Sequence, residues 1–598
     1  MENKKQAIIL SGVAIVALLA LIIGATYAYF RASGNSGSNT DINVTTYTLD
    51  LLSFEMGSDI KINADQTSFA SGKGNATGST FAKAILTANN KTNTATKNYY
   101  MYLNISNNTF TYTQNENTPE LLLTITDVSG NAITSITGLT YKTVIDGKGT
   151  SVSGFDITTK SGLLTLFDNR EITASPTKTE EWNVTVTFVN YNVNQTGNAG
   201  KSFNAKLMIQ QEEYELTLAD ICAGKTLSDC VISQYTGTQG DNAIYYHNST
   251  LTNGAGDNSY RYAGGDYVLT EAGKATGATM MIGYNNSVTT ALIDFYCNGT
   301  KQYVGYASSC STSHYYLIKG DTTQYQTYNE ALNASVEKGY LTKDNVKNFV
   351  CFGSDAITCP TENLYRIIGV FNNHVKLIKY DYAKSSLLGT DGDFSQEYTS
   401  NYFSGEQGES PSSNSLYYWN NAGTNTWSAS KLNTVNLNTN FTTNIGTAWA
   451  NKIATTTWKV GGGTYANLRD AVPKTAYQYE VGSSASTTTY DAKIGLMYVS
   501  DYYYSASPSA WTLVGYNSDY TKSYASAKGE NWLYGGGWDW TVSRYSDYSD
   551  SAFFVSSDGV VRFNLVGNGY GVRPSFSLLS STTYVSGSGS MSDPVRIN

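Results

Sequence analysis

Trp182-Asn183-Val184-Thr185-Val186-Thr187-Phe188 alternates large apolar with small polar side chains without a break. Successive side chains of an extended chain point to opposite faces, so this stretch reads as a strand with one buried and one solvated face. The same alternation returns upstream, where Tyr99, Met101, Leu103 and Ile105 interleave with Tyr100, Tyr102, Asn104 and Ser106, and apolar runs recur at 120–128 and 202–209. Turns of Gly, Asn and Ser separate these runs, which predicts a β-sandwich over residues 41–216. The region holds no cysteine and no histidine. It is read as a structural spacer, or as a unit that self-assembles by strand exchange at an unpaired edge.

At 598 residues the chain exceeds what a single core supports, so several domains are expected. Only 15% of residues are charged while 48 are tyrosine, which gives a surface rich in hydroxyls, amides and phenols and poor in charge. The net charge of -9 repels phosphate backbones, and nucleic acid is not an expected partner.

Lys4 and Lys5 precede an uncharged stretch, residues 6–30, whose core at 7–25 is almost wholly aliphatic, Ala or Gly. At about 1.5 Å rise per residue this core is long enough to cross a bilayer. Residues 1–30 therefore read as a signal peptide or transmembrane signal anchor, with the lysines cytoplasmic and everything beyond Arg31 exported. Thr26-Tyr27-Ala28 offers a small-residue cleavage site, so both removal and retention as a membrane tether stay open. Residues 31–40 form a linker.

Beyond 216 the pattern changes. All six cysteines fall between 222 and 359, and each has a near neighbour: Cys222 and Cys230, Cys297 and Cys310, Cys351 and Cys359. In an exported chain such a set reads as disulfides, although six cysteines permit 15 pairings. The spacings exceed those of structural zinc sites, and His247, His314 and His374 sit in no ligand pattern. Residues 217–360 are thus a disulfide-bearing segment of an α+β C-terminal domain that continues over 361–590, with 591–598 a tail. Within it, 365–371 and 375–378 predict a hairpin whose turn, Asn372-Asn373-His374, exposes the histidine. Leu432, Val435, Phe441, Ile445, Trp449 and Ile453 recur at helical spacing. Further strands are expected at 494–499, 552–555, 560–565 and 572–578.

Aromatic side chains are densest at Trp532-Leu533-Tyr534-Gly535-Gly536-Gly537-Trp538-Asp539-Trp540. Glycines let the backbone turn tightly around large rings, and Tyr and Trp suit recognition surfaces, although such rings also fill strand-poor cores. Trp532 is assigned to the core and Tyr534, Asp539 and Tyr545 to the surface. The candidate ligand face comprises Tyr534, Trp538, Asp539, Trp540, Arg544, Tyr545, Tyr548 and Tyr570. No nucleophile elbow, zinc-binding histidine pair or phosphate loop is present, and Asp391-Gly392-Asp393 with Glu397 lacks the twelve-residue calcium-loop pattern. No cofactor and no enzymatic activity are expected, with the reservation that paired carboxylates of a glycan hydrolase are set by spatial separation and are invisible in sequence.

Two resemblances refine this reading. Gly24-Ala25-Thr26-Tyr27-Ala28-Tyr29-Phe30 resembles the signal sequences of the TasA and camelysin group of exported Gram-positive proteins, which implies processing and a matrix- or fibre-type β-sandwich downstream. Residues 532–540, 551–555 and 570–576, with 254–262 and 365–378, resemble an uncharacterised bacterial surface-domain family of C-type-lectin-like fold. The same stretches are similar to formylglycine-generating enzymes, with departures: Gly536-Gly537-Trp538 lacks the residue that the family places between glycine and tryptophan, and Gly571-Val572-Arg573 has Val for Phe. The late cysteine pair of those enzymes is missing, so the resemblance implies binding without their catalysis, with Arg573 structural. The run 544–550 is similar to the variable loops of retroelement-diversified lectin-fold proteins. Together these expectations describe an adhesin-like surface protein that presents its domain to a glycan or cell-surface protein. The alternatives are a structural fibre or biofilm-matrix protein and a glycan or cell-wall hydrolase.

Overall fold

The computed structural model describes residues 50–598 apart from 66–71, 90–92, 215, 279, 283–290, 303–309, 311–312, 344 and 399–413. The leader expected at 1–30 and the linker at 31–40 lie outside the described residues, and no described helix is long and apolar enough to cross a membrane. The chain is mainly β and divides into two compact units, 1–216 and 217–598.

In the first unit ten strands build two sheets. They are β1 (Leu51–Met56), β2 (Ile60–Asn63), β3 (Ala76–Thr87), β4 (Ala95–Asn108), β5 (Leu121–Asp127), β6 (Tyr141–Ile145), β7 (Ser151–Asp156), β8 (Gly162–Ala174), β9 (Thr177–Phe188) and β10 (Ser202–Gln210). One sheet runs β1-β3-β9-β5-β7-β6 and the other β2-β10-β4-β8. The alternating runs supply the core between them: Trp182, Val184, Val186 and Phe188 from β9 meet Tyr99, Met101, Leu103 and Ile105 from β4. Register follows the same pattern, since Leu207 faces Leu103 and Ile209 faces Met101 across β10 and β4, which keeps these four side chains together in the core between the sheets.

A seven-stranded antiparallel sheet organises the second unit. Its order is Ile244–Tyr246, Tyr260–Tyr262, Leu364–Phe371, His374–Lys379, Ser575–Ser577 and Ile494–Gly495, with Phe349–Cys351 on the same edge of Leu364–Phe371 as Tyr260–Tyr262. The expected hairpin is present, and its turn is only Asn372-Asn373, both at positive φ, a conformation that asparagine tolerates. His374 is consequently not the exposed tip: it pairs with Phe371 as the first strand residue, and its Nδ1 donates to the Leu578 carbonyl at 2.8 Å. Gly369 answers a steric demand, because a Cβ there would lie 3.1 Å from the Arg261 Cα and closer still to the Tyr260 carbonyl oxygen. Its absence lets the strand Tyr260–Tyr262 dock and sets the position of Arg261.

Three other expectations change. Residues 494–499 do not form one strand; pairing stops at Gly495, and Val499–Tyr504 is a helix that buries all six of its residues. The strand expected at 572–578 is confined to Ser575–Ser577. Residues 591–598 are not a loose tail, since Val595 and Ile597 enter the core and the amide of Cys351 donates to the Val595 carbonyl. The helical spacing after Leu432 is realised as a π-helical segment, Leu432–Phe441, followed by short turns at Thr442–Asn444 and Thr447–Ala450.

All three disulfides join near neighbours, Cys222 to Cys230, Cys297 to Cys310 and Cys351 to Cys359, as an oxidising, extracellular setting allows. Replacing Cys222 and Cys230 together by serine is expected to lower unfolding stability by about 2 to 3 kcal/mol in the chain-entropy picture. Denaturant unfolding of oxidised wild type against the double variant measures this.

Candidate functional site

The aromatic loop does not form the surface expected of it. Trp540 is fully buried with its indole N–H on the Tyr417 carbonyl at 2.9 Å. Tyr534 is buried and its hydroxyl donates to the Ser557 carbonyl, while Tyr570 packs 4.6 Å from both Trp540 and Phe554. Tyr545 is buried too, its ring 4.6 Å from Tyr465 and 5.1 Å from Phe563. Asp539 lies at 1% exposure against Arg573, with 2.6 Å from the Arg573 Nε to its Oδ2, and the guanidinium also donates to the Leu533 carbonyl at 2.7 Å. Burial pushes the Asp539 carboxyl up to about 6 against the pull of Arg573. Surface placement therefore fails for Tyr534, Asp539 and Tyr545, and Trp532 is buried as assigned. Of the eight candidate residues only Trp538 at 39% and Tyr548 at 56% are exposed, with Arg544 half-buried and its Nε donating to the Gly461 carbonyl at 2.9 Å. The core of the second unit has consumed the rings.

Elsewhere in the second unit, residues from 257–261, 371–376, 456–459, 477–481 and 498–501, with Ser577, line an open cavity of about 350 Å³. Its floor carries charge. Lys376, 7% exposed in the middle of the strand His374–Lys379, places its Nζ 2.5 Å from Asp501 Oδ2, which also accepts the Tyr498 amide at 2.9 Å. Asp501 thereby caps the helix Val499–Tyr504 while neutralising a buried ammonium. Glu480 braces the same helix end, accepting the amides of Val499 and Ser500 at 2.9 Å each and the Ser543 hydroxyl, and burial raises its carboxyl above the ordinary range.

Arg261 forms the second charged centre. Its Nη2 lies 2.6 Å from Asp257 Oδ2 and its Nε donates to Ser259 Oγ at 2.8 Å, and Ser259 in turn donates to Asp257 Oδ1. Phe371, Tyr504 and Tyr477 surround the guanidinium with ring centroids 4.7 to 5.3 Å from Cζ. Its Nη1 makes no hydrogen bond among the described residues, although the side chain is 98% buried by the 2% exposure of the residue. Burial opposes the charge on Asp257, but the adjoining Arg261 guanidinium outweighs it and holds the carboxyl down to about 2.

Aromatic and hydroxyl groups complete the walls. Trp458 is fixed by its indole N–H on the Ala492 carbonyl at 3.2 Å, and Gly495 lies flat against its ring, where a Cβ would come within 2.8 Å. The Tyr498 hydroxyl accepts the Lys459 amide at 2.9 Å and so fixes the backbone at the cavity rim. The Lys459 side chain has no acidic partner among the described residues. Asp393, in the acidic stretch 391–397, is buried and accepts the amides of Asn421 and Leu432. No cluster of three or more His, Cys, Asp or Glu able to hold a metal is found among the described residues.

Sequence reasoning missed the cavity because its residues are scattered, yet one signal was available. Lys376 interrupts Val375-Lys376-Leu377-Ile378 and Arg261 sits between Tyr260 and Tyr262, single charges inside strands that are otherwise apolar. A charge placed there needs a buried partner or a ligand. Comparison with models of known families and with curated proteins yields no match.

Two outcomes follow for stability. Lys376→Met, which leaves Asp501 buried without its counter-ion, is expected to cost about 3 kcal/mol or more in denaturant unfolding. Because the folded-state Asp257 is depressed from 3.8 to about 2, its contribution is present above pH 4 and is lost as pH falls toward 2. Acid unfolding of Asp257→Asn should lack that component.

Proposed function

We propose that this chain is an extracellular, adhesin-like binding protein whose second unit takes a small part of a glycan or cell-surface ligand into the Arg261–Lys376 cavity. The observation that carries this reading is the charge in the cavity lining: Arg261 and Lys376 are fixed there by Asp257 and Asp501 and keep N–H donors that nothing in the described residues uses. Concave sites with a few convergent polar groups are the usual form of binding sites. The acids around the cavity are engaged as counter-ions and helix caps, which favours recognition over acid–base catalysis. An N-terminal apolar segment would tether or export the protein, and the lectin-like resemblance of 254–262 and 365–378, which contribute to the cavity, supports the same reading.

A self-assembling matrix protein is the second reading, favoured by the two outer strands of the larger sheet in the first unit, β1 and β6, which end it with unpaired edges among the described residues. Sedimentation of the full chain over a concentration series separates the two: growth into long polymers supports the matrix role, and a constant small species supports the adhesin.

For the adhesin, binding of the oxidised chain to glycan and host-protein arrays is expected to be saturable and to weaken about tenfold or more in Tyr477→Ala, which removes a cavity wall. Trp538→Ala and Tyr548→Ala, on the exposed loop, should leave it within about twofold. The opposite ranking would return the ligand face to the aromatic loop.

A further inference from the structure

Resting on the reading of this cavity as a binding site, its charge pattern narrows the ligand. Three cations line it, Arg261, Lys376 and Lys459, against two acids, Asp257 and Asp501. Each acid is already matched to one cation, at 2.6 Å in Asp257–Arg261 and 2.5 Å in Asp501–Lys376. The excess positive charge thus belongs to Lys459 at the rim, in a chain whose net charge is -9. A cavity that reverses the sign of its protein attracts an anion.

The magnitude and placement of the charge say which kind. One net positive charge suits one negative charge. A phosphate dianion would bring two charges toward Asp257 and Asp501, and like charges at that range repel strongly where water is excluded. The remaining lining carries hydroxyls, Ser259, Thr456, Thr457 and Ser500; Ser259 donates to Asp257 and Thr457 to Asp491, so these two offer oxygen lone pairs to sugar O–H groups, as do the two carboxylates. Tyr477, half-buried in the lining with Arg261 against its ring, offers aromatic surface for an apolar patch of C–H groups.

We propose that the cavity recognises a sugar acid, a monosaccharide unit with a single carboxylate of the uronic- or sialic-acid type. Lys459 and the free Arg261 Nη1 receive the carboxylate, the Asp257 and Asp501 carboxylates and the hydroxyl side chains bind the ring hydroxyls, and Tyr477 covers the ring. No bond is made or broken.

The test is titration calorimetry of the purified, oxidised full chain with glucuronate, N-acetylneuraminate, glucose, glucose 6-phosphate and inorganic phosphate. At least one of the two sugar acids is expected to bind about tenfold or more tighter than glucose and than both phosphates, the size of one charge-assisted contact. Lys459→Gln, which breaks no ion pair among the described residues, is expected to erase that advantage while leaving the thermal unfolding midpoint unchanged. Thr457→Val, at an exposed rim position, should weaken the sugar acid without altering its preference over glucose.

Equal affinity for glucose and the acids, or tighter binding of either phosphate, overturns the sugar-acid assignment and leaves the cavity as a binding site. Preference for the acids that survives Lys459→Gln overturns the role of Lys459 and with it the assignment. If none of the five compounds binds, the array result decides how far the failure reaches. Loss of array binding in Tyr477→Ala then discards only the sugar acid, and unchanged binding in that variant discards the cavity as well.

Discussion

An ammonium in the middle of a buried strand is tolerable only beside a carboxylate, and the second unit is arranged around meeting that condition for Lys376. Asp501, its partner, sits in the first turn of the helix Val499–Tyr504, so neutralising the lysine fixes the start of that helix against the central sheet. Glu480 reaches the same helix end from Pro473–Glu480, adding a second carboxylate where the helix dipole favours one. Once the helix is placed, Tyr502, Tyr503 and Tyr504 enter the core, and Tyr504 lies against the Arg261 guanidinium. The cavity is therefore bounded by the consequences of one ion pair: sheet on one side, capped helix on another, and a second cation held by the ring that the helix delivers.

How much of this the chain announces depends on the range of the interactions concerned. The alternation in 182–188 and 99–106 reports a local fact, which side chains point into the sandwich, and all eight of the apolar ones enter the core, while Tyr102 and Thr187 are buried on the opposite faces. The Asn372-Asn373 turn and the three close cysteine pairs are equally local, and both are present in the fold. The strand expected at 494–499 stops at Gly495 because the helix Val499–Tyr504 begins at its far end; the Asp501 cap of that helix is local, while the Glu480 brace is tertiary and leaves no local mark.

The aromatic loop misleads for a different reason. Tyrosine is placed on surfaces because its hydroxyl wants a partner, but here backbone carbonyls supply one in the interior: Tyr502 donates to Gly559, Tyr503 to Leu468, Tyr524 to Tyr503 and Tyr534 to Ser557. Beside the aliphatic residues of its central sheet, the unit builds much of its core from rings whose polar tips are satisfied by backbone carbonyls. Density of aromatics in such a chain measures how much irregular backbone must be packed.

The three cystines bridge separations of 8, 13 and 8 residues. Loops so short lock away little contour, so a chain drawn out by flow or by a moving neighbour would lengthen almost fully despite them. Resistance to pulling must then reside in hydrogen-bonded ladders such as the twelve-residue register of β3 on β9, whose bonds share the load when strands slide past each other and fail one at a time when strands peel apart. The cystines guard local shape, and endurance under tension falls to the direction in which the sheets are loaded.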